Sequence, residues 1–237
     1  MQILPDVYMV NGYPYGQHQN SYVLRLGDAI VMVDSGDLEH PTFDLIVENC
    51  ARWSIEIGKV THLLLTHAHF DHASHAARLQ REGAEVIGNA ACAAALAVGD
   101  DRTVGYAVHG TFEPCEIDRV VGDGEILRIG GTSIRCLTAP GHADSCTVYE
   151  VRLRGERLWF VGDVILVGPE SESVELGWSG SPDYDRATYV SSLRRLAHEA
   201  RAYGGCDHLF PGHGPASIGG GTRLVEMAYT KAMMELR

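Results

Sequence analysis

The sequence predicts an α/β fold. Short runs rich in Val, Ile and Tyr alternate with helical runs along the whole chain. No segment between them is long enough to act as a linker, so residues 1–237 read as one domain. Apolar residues make up 45% of the 237, which suits a large core and excludes a disordered chain.

The elements follow in order. Residues 7–10, 21–26 and 29–33 read as strands, the last two joined by a tight turn at Gly27-Asp28. Residues 11–20, between the first two strands, form a long aromatic loop with Tyr13, Tyr15 and His18. Asp34-Ser35-Gly36 ends the third strand, and a helix is expected from 41 to about 53, with Phe43, Ile46, Val47 and Cys50 on one face. A buried strand over 60–65 then leads into a helix over 73–82. A strand at 85–88 and a small-residue helix at 90–98 come next, and 99–118 is irregular. Tyr106, His109 and Phe112 give that stretch the makings of a lid, although an ordinary surface excursion is the preferred reading. Strands resume at 125–129, 133–137, 146–153 and 157–161. Residues 166–183 read as a polar loop containing Trp178. A helix over 185–202, a strand over 207–210 and a helix over 222–236 complete the chain.

Between the 60–65 strand and its helix lies Thr66-His67-Ala68-His69-Phe70-Asp71-His72, with three imidazoles and a carboxylate. These are ligands for borderline divalent metals. His67 and His69 stand i, i+2 on an extended segment, so both rings face one side. Asp71 and His72 come from the start of the helix and face a second point nearby. The spacing suits two adjacent metals better than one. The place is also right, because ligands of open α/β sheets gather at the carboxyl ends of strands.

The H-x-H-x-D-H segment resembles the signature of metallo-β-lactamase-fold hydrolases. Three later stations appear in that family's order, each after an apolar run: Gly141-His142, Gly162-Asp163 and Gly212-His213. The resemblance covers nearly the whole chain and points to the single-domain branch of glyoxalase II and lactonase-like enzymes. It implies an αββα sandwich, two mixed β-sheets with helices on the outer faces. It also implies that His67, His69 and His142 hold one metal, that Asp71, His72 and His213 hold another, and that Asp163 bridges them with a hydroxide. The cofactors implied are two divalent ions, zinc first, with iron or manganese as alternatives. The function implied is hydrolysis of an ester, lactone, thioester or phosphoester, with Asp71 as the catalytic carboxylate that orients the nucleophile and moves a proton. Asp34 would orient the ligand loop. Tyr13, Tyr15, His18, Trp178 and Tyr184 are candidate substrate contacts. His62, His75 and His208 fall outside the ligand set, as does His109.

Several residues depart from the family's patterns. Enzymes that hydrolyse glutathione thioesters carry a long basic helical tail, whereas only Arg223, Lys231 and Arg237 are cationic after His213. This weighs against a thioester substrate. Lactonases place a Tyr just after the bridging Asp, where this chain has Val164, Ile165 and Leu166, so Tyr184 would have to reach in. Gly141-His142-Ala143-Asp144-Ser145 replaces the common Gly-His-Thr-Pro-Gly and adds a carboxylate. Ser179 and Ser181 have no free histidine to make them nucleophiles. Two readings compete with hydrolysis: an iron-dependent sulfur dioxygenase that uses one metal, and a metal-stabilised binding module without catalysis.

Net charge is −12, from 19 basic and 31 acidic residues, so no nucleic acid is expected as partner. The expected partner is a small-molecule substrate, and a homo-oligomer is left open. Met1-Gln2-Ile3-Leu4-Pro5-Asp6 lacks a basic, apolar leader, and no stretch approaches the ~18 apolar residues of a membrane span. The six cysteines contain no C-x-x-C pair. A cytoplasmic protein with reduced thiols is the expectation.

Overall fold

A computed structural model describes residues 1–38, 42–105, 112–169, 172–202 and 204–236. The first sheet contains β1 (Gln2–Leu4), β2 (Val7–Asn11), β3 (Ser21–Leu26), β4 (Ala29–Val33), β5 (His62–Leu64), β6 (Glu85–Asn89) and β7 (Arg119–Val121), hydrogen-bonded in that order. Strands β1 to β4 run antiparallel, and β4 to β7 run parallel. Parallel neighbours need crossovers. These are α1 (Thr42–Arg52) between β4 and β5, then α2 (Phe70–Ala73) and α3 (Ala76–Arg81), then α4 (Ala90–Val98) between β6 and β7.

The second sheet has the order β14-β11-β10-β9-β8. Its members are β8 (Ile126–Ile129), β9 (Thr132–Thr138), β10 (Thr147–Leu153), β11 (Glu156–Gly162) and β14 (His208–Pro211). Strand β14 lies parallel to β11 and is reached through α5 (Arg186–Ala202), while α6 (Gly221–Glu235) closes the chain.

Period-2 alternation sorts the side chains into layers. On β2, Val7 and Met9 face the second sheet while Tyr8 and Val10 face the helices. The core between the sheets holds Leu24, Val31, Leu64 and Ile87 with Cys136, Tyr149, Val151, Phe160 and Phe210. A second core lies under α1, α3 and α4, and a third under α5 and α6. Three apolar layers between four layers of secondary structure make the αββα sandwich.

The structure differs from the sequence expectation in a few elements. The helix expected over 73–82 is two helices, broken at Ser74-His75. Ser35 causes the break: its N–H and its hydroxyl both donate to the His72 carbonyl, at 2.7 and 3.0 Å, where the next helical turn would have done so. The loop over 166–183 contains a small hairpin of β12 (Leu166–Val167) and β13 (Val174–Glu175). Strands β1 and β7, three residues each, carry too little pattern to be read from the sequence. Of the lid residues, Phe112 is buried in the first helical core, and Tyr106 and His109 lie outside the described residues. No helix among the described residues is long and apolar enough to cross a membrane. All six cysteines are buried and unpaired.

Candidate metal centre

Every station of the motif falls just past the carboxyl end of a strand. His67, His69, Asp71 and His72 follow β5, His142 follows β9, Asp163 follows β11 and His213 follows β14. The two sheets thus deliver candidate ligands from both sides to one edge of the sandwich. His67, His69 and His142 form one group of facing donor atoms, and Asp71, His72, Asp163 and His213 form another. Asp163 connects the groups: Oδ1 lies 3.3 Å from His72 Nε2, while Oδ2 lies 3.2 Å from His213 Nε2 and 3.7 Å from His142 Nε2. Asp71 Oδ2 lies 3.2 Å from His213 Nε2. Gly212 makes this closeness possible, since a Cβ there would sit 2.2 Å from Asp163 Oδ1 and 2.6 Å from His72 Cε1.

The outer nitrogen of each imidazole is held, which fixes the ring and aims the inner nitrogen. His72 Nδ1 pairs with Asp34 Oδ2 at 2.8 Å, His142 Nδ1 with the Trp178 carbonyl at 2.9 Å, and His213 Nδ1 with the His18 carbonyl at 2.9 Å. His67 Nδ1 lies 3.0 Å from Thr66 Oγ1. His69 is the exception, because its Nε2 lies 3.2 Å from Ser181 Oγ, whose hydroxyl donates to Asp183. A Ser181 that donates to Asp183 accepts from His69 Nε2–H, so His69 presents Nδ1. Ser181 is therefore a polar support for a ligand, a role its sequence context did not reveal. Asp34 also takes the backbone N–H and the hydroxyl of Thr66, at 2.8 and 2.7 Å. It does so from a left-handed conformation, φ 56°, an uncommon posture for a residue with a Cβ.

The donor set fits metal ions. His67 Nε2 and His142 Nε2 are buried without a hydrogen-bond partner, a costly state for polar atoms unless something binds there, while His72 Nε2 and Asp163 Oδ1 face each other at 3.3 Å as an ion pair without hydrogen-bond geometry. The charges of the two groups differ. Burial, reinforced by the other rings, holds His67 well below the usual histidine range and brings His69 down to about 3. Burial also opposes a charge on His72 and His213, but the surrounding carboxylates outweigh it. Asp71, Asp163 and Asp34 raise His72 well above its ordinary value, and Asp163 and Asp71 hold His213 up to about 10. For Asp163 burial pushes upward, yet His213 and His72 keep the carboxyl well below its usual range.

The centre opens into a cavity of about 280 Å³ lined by His18, His69, Phe70, Asp71, Val104, His142, Asp163, Trp178 and His213. Two of the five proposed substrate contacts, His18 and Trp178, line it. The other three sit elsewhere. Tyr13 is exposed, Tyr15 turns its hydroxyl to the Met1 amino group and the Met9 carbonyl, and Tyr184 packs edge-on against Tyr189. Tyr184 is not among the described residues that line the cavity. Val104 and Phe70 line the cavity without having been singled out from sequence, because loop closure alone brings Val104 there. His62 and His208 pair with Glu85 and Glu156, and His75 Nε2 contacts the Asp37 carbonyl at 2.7 Å.

Residues 14–216 match the model of the metallo-beta-lactamase superfamily. The chain is 28% identical over 219 residues to the atrochrysone carboxyl ACP thioesterase AgnL7 of Paecilomyces divaricatus, covering 90% of this chain and 57% of that protein. It is 30% identical over 222 residues to the lactamase-like protein notP of an Aspergillus species, covering 90% and 56%. The chain thus spans little more than half the length of these curated relatives. Among solved structures it resembles a metallo-beta-lactamase from Cronobacter sakazakii, with TM-score 0.70 and 25% identity over 90% of this chain and 79% of that one. A metallo-beta-lactamase family protein of Thermus thermophilus shares the fold at TM-score 0.76 and 21% identity, over 98% and 81% of the two chains. By motif, topology and family match, this chain belongs to the metallo-beta-lactamase superfamily.

Proposed function

We propose that the protein is a metal-dependent hydrolase of acyl thioesters. The observation that carries this reading is the pair of facing donor groups, His67 with His69 and His142, and Asp71 with His72, Asp163 and His213, of which His69, Asp71, His142, Asp163 and His213 line the cavity. The two donor groups would each hold one divalent ion, with Asp163 between them, and zinc suits the nitrogen-rich set. Bound metals supply Lewis acidity and lower the pKa of water to near neutrality.

The chain's own residues do the rest. Asp71 stays ionised, because His72 and His213 outweigh the burial that would protonate it. It can accept a proton from attacking water at the cavity floor. Asp163 and the imidazoles fix the geometry. Phe70, Val104 and Trp178 give the acyl group an apolar wall. A thiol, with a pKa of about 8.5, leaves more readily than an alkoxide, and a carrier-protein thioester needs no glutathione contacts, so the short basic tail does not weigh against it. The thioesterase name of the relatives supports the same reading.

The test is to strip the protein with chelator, reload it with zinc, manganese or iron, count metal per chain and assay thioesters, lactones and phosphodiesters. Thioester turnover that appears with two ions per chain supports the proposal. Turnover that survives verified metal removal rejects it, and one iron per chain with oxygen consumption would establish the dioxygenase alternative. Asp71→Asn is expected to lower kcat by ~10²–10⁴ while keeping metal at the three-histidine group.

A further inference from the structure

We propose that Val104 and Trp178 select the acyl group and that the group they select is aromatic. The inference deepens the thioesterase reading and relies on it only for where the acyl group sits.

Val104 adopts φ 58° and ψ −11°, a left-handed conformation that a β-branched side chain rarely takes. The loop before it holds it there. The Asp100 carboxylate accepts from the Arg102 N–H and guanidinium, Thr103 Oγ1 donates to the Asp100 carbonyl, and the Val104 N–H donates to the Asp101 carbonyl. Gly105 then packs tightly on Phe70 and Phe112, since a Cβ there would lie 3.2 Å from each. The outcome of this constraint is an isopropyl group on the cavity wall. Strain of this kind persists where the surroundings over-determine it, and it gathers at sites that bind.

Trp178 is built in a comparable way. Its carbonyl secures His142, and its indole lies flat on Gly180, where a Cβ would meet Cζ2 at 1.9 Å and Cε2 at 2.4 Å. The indole is nevertheless 57% exposed while lining the cavity. A large aromatic face held in place yet left uncovered offers stacking to a flat ligand. Phe70 and the His18 ring, itself 4.4 Å from the His213 ring, extend the aromatic lining. No lining residue described carries a positive charge at its tip except through the histidines, so recognition of the acyl arm falls to shape and apolar contact.

The experiment titrates zinc-loaded protein with 2-naphthoate and with hexanoate, which share the carboxylate and differ in the ring. Val104→Gly suits the left-handed backbone and deletes the wall, and Gly180→Ala displaces the indole without deleting it. The wild type is expected to prefer naphthoate by ~10-fold, the scale on which apolar pockets discriminate, and each variant to erase most of that preference at unchanged zinc content. A wild-type ratio near one, or variants that keep the preference, would overturn the proposal. Loss of zinc in Val104→Gly would make Val104 a support for Phe70 and α2 and overturn its half of it. Naphthoate preference without turnover of naphthoyl or hexanoyl thioesters would reject the thioesterase reading and leave this inference standing.

Discussion

The two donor groups of the metal centre share an edge of the sandwich, yet they are built on opposite electrostatic plans. His67, His69 and His142 are three imidazoles that burial keeps neutral. Asp71, His72, Asp163 and His213 form an ion-paired set in which protons on the imidazoles balance two carboxylates. The first group is ready for a cation as it stands. The second must exchange protons for one. An ion taken up by the first group would then show little pH dependence and one taken up by the second a strong dependence.

The largest expected effect comes from the residues that join the groups. Gly212→Ala would drive a methyl into Asp163 Oδ1 and His72 Cε1. Asp163→Ala would delete the carboxylate that lies within 3.7 Å of imidazoles from both groups. Both variants should lose at least one metal, since two dications at close range repel strongly in a partly dry site, and turnover should fall with it. Metal analysis on folded, gel-filtered protein decides the matter, and two ions per chain in Asp163→Ala would break the bridging role.

A smaller effect should come from Asp34, which touches no donor atom facing the cavity. Its carboxylate holds His72 Nδ1 and both polar groups of Thr66. Asp34→Ala is expected to weaken metal binding at the ion-paired group by ~10–100-fold, the usual loss when the partner of a ligating histidine is removed. The three-histidine group should change less, because it feels Asp34 only through Thr66. Competition titrations with a chromophoric chelator would separate the two steps, and equal losses at both would remove the distinction.

The proton balance gives a third test. Below a pH of about 10 the metal-free chain keeps a proton on His213, and His72 is raised as well. Cation uptake at that group must release protons, and its affinity should climb as pH rises through the neutral range. His69, brought down to about 3, carries no proton at neutral pH, so uptake at the three-histidine group should release none. Calorimetry in buffers of different ionisation enthalpy measures the count. Equal proton release for the two steps would contradict the contrast between the groups.

What was legible in the sequence follows from range. The candidate ligands sit on turns that end strands, and their type and spacing are local facts, so the motif at 67–72 and the Gly-led stations at 142, 163 and 213 could be read directly. Layering followed from alternation. The cavity lining was less legible because it depends on how loops close. Tyr15 belongs to an aromatic loop aimed near the centre, yet its hydroxyl finds the Met1 amino group instead. Val104 reaches the wall through a left-handed turn that valine's own preferences oppose. Ser181 looked idle because the histidines were assigned to metal, and only the folded chain shows that it holds His69 by the nitrogen facing away.

The smallest expected effect concerns Asp144, next to a ligand but outside both donor groups. Burial, with the Asp183 carboxylate beside it, pushes its carboxyl up to about 6, against the relief of Arg102 at 3.8 Å. A carboxyl raised in the folded state is stabilising when protonated, so its contribution is complete below the ordinary value of 3.8 and is lost as pH climbs through about 6. Asp144→Asn mimics the protonated form at every pH. The variant should match the wild type near pH 4 and melt slightly higher near pH 7, by an amount that salt diminishes, because the side chain is 44% exposed. Metal content should stay as in the wild type. A fall by one equivalent would mean that the 141–145 turn supplies a ligand from Asp144, and the two-group description of the centre would then need an eighth residue.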